Sequence, residues 1–121
     1  MEQSPPPLVW LSEACTKCLR QRAQADCEPC RQLAYRALCD GNDAAWDLLV
    51  VHLWPLILRW LYANDPELMP ATAEAQGYRL LWRFRRRYAN RPDLAATFPT
   101  FPELLKRLHR LLLEVNHSRG G

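Results

Sequence analysis

Along the chain the apolar positions fall at helical intervals. Trp46, Leu49, Val50, Leu53, Ile57, Trp60 and Leu61 recur at offsets of three, four and seven, which marks one stripe of an amphipathic helix. Asn42 stands just ahead of the stripe, where its side-chain oxygen can accept from an unsatisfied first-turn amide. Pro55 lies inside the pattern. Its missing N–H predicts a kink or a short break near Leu53 and Trp54. The run "NDPELMP" (64–70) ends the helix by its turn chemistry.

A second helix is predicted from about Pro70, a residue suited to a first turn, to about Tyr88. Its core face is Ala73, Gly77, Leu80, Leu81, Phe84 and Tyr88. The same period turns Arg79, Arg83, Arg86 and Arg87 toward solvent. "ANRPDLAATFP" (89–99) is expected to be a loop. Thr100 and Glu103 then form a Thr-x-x-Glu capping box before a last helix with the stripe Leu104, Leu105, Leu108, Leu111, Leu112 and Val115. Lys106, Arg107 and Arg110 lie off that stripe. Alternating strand patterns and hairpin turn chemistry are absent, so the expected fold is an all-α helical bundle without a sheet.

At 121 residues and 49% hydrophobic content the chain can build one core. Its charge is unevenly spread. Residues 1–77 carry six Lys/Arg against ten Asp/Glu, whereas residues 78–121 carry ten against three. Such a basic third suits nucleic acid or another polyanion, while a merely solvated basic face is the competing explanation. The N-terminus opens on Glu2 and three prolines rather than a basic stretch followed by an apolar run, which leads to the expectation of a cytoplasmic protein. The apolar stretch from Trp46 to Tyr62 contains His52, Pro55 and Arg59 and is shorter than a bilayer-spanning helix of about 20 residues. It is expected to be core, and no membrane partner is expected.

Four of the five cysteines sit in "CTKCLRQRAQADCEPC" (15–30) as two Cys-x-x-Cys pairs. Cys15, Cys18, Cys27 and Cys30 in this spacing predict four thiolates around one tetrahedral, structural zinc. Two disulfides, which need an oxidising compartment, and free thiols are the competing arrangements. Pro29 suits the first turn of a helix from about Glu28 to Leu38, whose N-terminus would favour thiolate charge. Cys39 is expected to be a small core residue.

"YRLLWRFRRRYANR" (78–91) interleaves Tyr78, Trp82, Phe84 and Tyr88 with six arginines. Arginines neutralise phosphates and exposed aromatics stack on unpaired bases, the combination used to hold single strands. Trp82 lies off the core stripe; it either stacks on a base or covers a groove between helices.

From Leu33 onward the chain resembles region 2 of sigma-70 family transcription factors, particularly the extracytoplasmic-function type. "LCDGNDAAWDLLVVHLWPLILRWL" (38–61) is similar to that family's Gly-Asp-x-x-Ala-Trp opening of a first helix. "AEAQGYRLLWRFRRR" (73–87) resembles its Ala-Glu-x-x-Gln core helix, and "TFPTFPELLKRLHRLLLEVNHSR" (97–119) its Phe-rich loop and last helix. Two positions depart: Ala75 stands where a second acidic residue is usual, and Asn116 replaces the Asp of a terminal Asp-x-x-Arg.

The resemblance implies a domain over residues 33–121 that engages RNA polymerase core and promoter −10 DNA, partly single-stranded. Residues 1–32 would be an added tail and four-cysteine module. By the same resemblance Glu74 and Gln76 would dock the polymerase, and Lys106, Arg107, Arg110 and Arg119 would face DNA beside Trp82 and the Arg79, Arg83, Arg86 and Arg87 row. The alternative is an adaptor of the same shape that binds polymerase or a regulatory protein without touching DNA. An enzyme is not expected, since His52, His109 and His117 have no evident acid or nucleophile partner in the sequence.

Overall fold

The structure is a computed structural model that describes residues 7–21, 27–91 and 93–119, apart from the side chains of residues 95 and 115–119. The described residues are all-helical. The helices are α1 (Leu8–Arg20), α2 (Glu28–Leu38), α3 (Asp43–Asn64), α4 (Pro70–Tyr88), the single turn α5 (Leu94–Thr97) and α6 (Phe101–Arg119).

Local chemistry fixes most of these ends. Asn42 Oδ1 accepts from the Ala45 amide at 3.0 Å, closing the first turn of α3. Gly41 takes a left-handed φ of 63°, which lets the chain turn sharply from α2 into α3. Pro70 opens α4 where its missing donor costs nothing. Thr100 Oγ1 accepts from the Glu103 amide at 3.3 Å. The reciprocal half of the expected capping box is replaced, because Glu103 reaches forward to Lys106 Nζ at 3.4 Å.

Two expectations are corrected. α3 runs without a break through Pro55. Pro55 and Val51 both lie on the exposed side, so the Val51 carbonyl that loses its partner faces the solvent flank, while Leu53, Ile57 and Leu61 are buried on the other. The segment 89–99 is not all loop, since Leu94–Thr97 makes a helical turn that buries Leu94. Ahead of α2 the cysteine segment begins as a regular helix, α1, that buries Leu11 and Cys15.

α3 is apolar nearly all the way round, and among the described helices it alone is long and apolar enough to cross a membrane. Here it is the central helix, packed against α1, α2 and α4. Trp60 on α3 lies against the His109 ring of α6, with centroids 4.8 Å apart. The core runs unbroken from Leu11 and Cys15 through Leu33 and Leu38 to Leu49, Leu53, Phe84 and Leu108. α2 crosses residue 32, carrying Cys30 on one turn and Leu33 on the next. An aromatic cluster of Phe84, Tyr88 and Phe98 ties α4 to the α5 region. The Asn90 amide donates to the Leu38 carbonyl at 2.9 Å, joining the end of α4 to α2.

Ser12 on α1 and His52 on α3 meet at 2.9 Å between Oγ and Nε2. Burial pushes the His52 pKa below the ordinary histidine value of 6.5, and hydrogen bonding to the Ser12 backbone opposes that shift. The folded chain therefore takes up this proton less readily than the unfolded chain. The contribution is complete above the unfolded value and is lost as pH falls through the lower folded one. The urea midpoint is expected to drop as pH is lowered from about 7.5 to about 5, and His52→Gln should flatten that slope. An unchanged slope in the variant would remove His52 as its source.

Candidate nucleic-acid interface and cysteine hairpin

α4 positions the candidate interface because its buried face leaves one opposite arc. With Ala73, Leu80, Leu81 and Phe84 in the core, residues 78, 79, 82, 83, 86 and 87 must face outward. They divide into two neighbouring strips. Tyr78 and Trp82, one turn apart, form the aromatic strip on the α3 side and are 54% and 60% exposed. Arg79, Arg83, Arg86 and Arg87 form the cationic strip beside it, and all four are exposed.

Neighbours hold the aromatic strip. Tyr78 stacks on Trp54 of α3 at 4.7 Å. A Cβ on residue 77 would come within 2.7 Å of the Trp54 ring, so Gly77 is what allows that indole to lie against α4. The Arg86 guanidinium sits 5.1 Å over the Trp82 ring. Arg85, on the edge toward α3, lies 5.1 Å over Trp46 and pairs with Asp43.

Between α3 and α4 these groups line an open groove of about 730 Å³. Trp46, Asp47 and Val50 contribute the α3 wall, and Tyr78, Trp82 and three arginines line the α4 wall. On the other flank, Arg87 converges with Arg107 and Arg110 of α6 around a polar cleft of about 160 Å³. Glu114 enters that cleft, 3.6 Å from Arg87, with both side chains more than half exposed. Such a pair in water is worth little and leaves most of the positive potential in place. Arg79, Arg83, Arg86, Arg107 and Arg110 have no ion-pair partner among the described residues.

The predicted site residues thus separate into groups. Arg79, Trp82, Arg83, Arg86 and Arg87 share the outer arc of α4, and Arg107 and Arg110 join Arg87 from α6. Lys106 is exposed and engaged by Glu103 on its own helix. The Arg119 side chain lies outside the described residues. Glu74 is exposed and Gln76 half-buried near the start of α4. Sequence reasoning passed over Arg85, Trp46 and Asp47, whose part in the groove depends on α3 and α4 lying side by side. The one available signal was the off-stripe position of Trp82.

The cysteines meet across a helical hairpin. Cys15 and Cys18 lie one turn apart on α1, and Cys27 and Cys30 occupy the cap and first turn of α2. Antiparallel helices bring the first to the last: Cys15 is bonded to Cys30 and Cys18 to Cys27, with Cα separations of 4.7 and 5.7 Å. With the sulfurs so paired, no cluster of three or more metal-binding side chains stands among the described residues. Cys39 is a free, half-buried thiol packed against the core.

The Cys15–Cys30 bridge closes a loop with a sequence separation of 15. Replacing both residues by Ser should cost the oxidised protein about 3 kcal/mol in urea unfolding, whereas Cys39→Ser should stay within about 1 kcal/mol. Equal stability of the oxidised double variant and the parent would show that this cross-link does not hold the hairpin.

No protein-family model, no curated protein and no solved structure matches the chain.

Proposed function

We propose that the chain is a sigma region 2-like module of transcription that grips partly single-stranded promoter DNA with the outer arc of α4 and the adjoining side of α6. One observation carries the proposal: an arginine row, of which Arg79, Arg83 and Arg86 have no carboxylate partner among the described residues, runs beside two exposed aromatic rings on a single helix face. The arginines supply phosphate contacts and the rings supply stacking, which tolerates any base. Glu74 and Gln76, at the start of the same helix, are the proposed contacts to RNA polymerase core, and the cytoplasm is the proposed compartment.

In a reducing compartment the four hairpin sulfurs are thiols rather than disulfides. Two such pairs on facing turns make the donor set of a closed, structural zinc site, with Cys15, Cys18, Cys27 and Cys30 as ligands. Zinc in the reduced hairpin is therefore part of the proposal. Metal analysis of protein purified under reducing conditions should find about one zinc per chain. Metal-free reduced protein that keeps its helicity would exclude it.

Exposed Val9 and Trp10 on α1 favour a second reading, an adaptor that meets a protein partner through the hairpin and ignores DNA. Titration of single-stranded DNA at two salt concentrations separates the two. For three to five phosphate contacts the affinity should fall roughly 20- to 100-fold between about 50 and about 200 mM salt. Joint charge reversal at Arg83, Arg86 and Arg87 should abolish most of that dependence. Salt-indifferent binding, or unchanged affinity in the reversed variant, sinks the DNA reading and leaves the adaptor.

A further inference from the structure

The α3–α4 groove has a size and an order of chemical groups that a grip on phosphates alone does not call for. Its volume of about 730 Å³ lies in the range of small-ligand sites. Two of its lining rings, Tyr78 and Trp82, are more than half open to solvent, yet each is held from behind. Trp54 backs Tyr78, and Arg86 covers part of Trp82. Rings held in this way lose little side-chain freedom when a planar group stacks on them.

The polar groups are sorted across the groove. Arg85 is already engaged by Asp43 and Trp46. Arg79 and Arg83 on the α4 wall have no ion-pair partner among the described residues and remain to receive an anion. Opposite them the α3 wall presents Asp47, which repels an anion and accepts hydrogen bonds from an amine or a hydroxyl. A matching ligand is flat and aromatic, carries a phosphate-like group at one end and bears hydrogen-bond donors at the other.

We infer that the groove binds a nucleoside phosphate, with its base stacked on Tyr78 and Trp82, its phosphate on Arg79 and Arg83, and an amine or hydroxyl of the base or sugar on Asp47. The occupant is a free mononucleotide, which would make the module responsive to a soluble ligand, and this inference stands independently of the DNA reading.

The test is a titration of the full chain with adenosine and cytidine monophosphates and with a single-stranded oligonucleotide of about 12 nucleotides, followed by the indole signals in NMR spectra. Perturbation of the Trp82 signal by the mononucleotides, lost in Arg79→Ala/Arg83→Ala, supports the site with a free ligand. Trp82→Ala and Tyr78→Ala should each weaken mononucleotide binding roughly 5- to 100-fold, while Asp47→Asn should change the preference between the two bases. All these positions are exposed, and far-UV circular dichroism of each variant checks its helix content.

Oligonucleotide binding with no mononucleotide response overturns the inference and leaves the DNA reading standing. A mononucleotide response without any binding of the strand does the reverse. Silence toward both ligands removes both.

Discussion

The packing of α3 governs the rest of the molecule. A helix apolar on nearly every side gains from cover wherever neighbours can reach it, because each Å² of apolar surface left in water, as at Val51 and Pro55, forgoes roughly 25 cal/mol. α1, α2 and α4 pack against it, and α6 reaches it at Trp60 through His109. The cover is incomplete between α3 and α4. Val50 there is only half-buried, and with the buried Trp46 it lines the groove that results. The same incompleteness brings Tyr78 onto Trp54 and Arg85 onto Trp46.

Charge follows from that packing. Once Leu80, Leu81 and Phe84 are committed to the core, the arginines of α4 have nowhere to go but outward, and no polar or charged side chain is buried among the described residues. The carboxylates close enough to answer them, Asp43 and Glu114, sit at the two margins of the arc and leave its crown positive. A surface of this kind attracts polyanions from a distance set by the ionic strength.

The hairpin uses a different source of stability. α1 buries only Leu11 and Cys15 fully, too little for a helix of 13 residues to hold itself in place. Covalent closure by two disulfides supplies what the apolar face lacks. The Ser12–His52 contact then fixes the hairpin's register on α3. A change in the redox state of the four sulfurs therefore acts on an element that touches the central helix directly.

Local pattern was enough for the long helices, the Asn42 cap and the outward arginines. The 3.6-residue period of Leu, Phe and Trp, the oxygen of Asn42 and the proline at 70 act within one or two turns of their own position. It could not determine α1, whose apolar stripe is thin and whose cysteines suited a metal knuckle equally well. Nor could it choose among the three ways of pairing four cysteines, which depends on the antiparallel approach of two helices. Only the packing of the helices brings Arg87 to Arg107 and Arg110 and places Asp47 and Arg79 in the lining of one groove. Those relations join residues 20 to 40 positions apart, and they are set by how apolar faces share the burial of α3 rather than by any local preference.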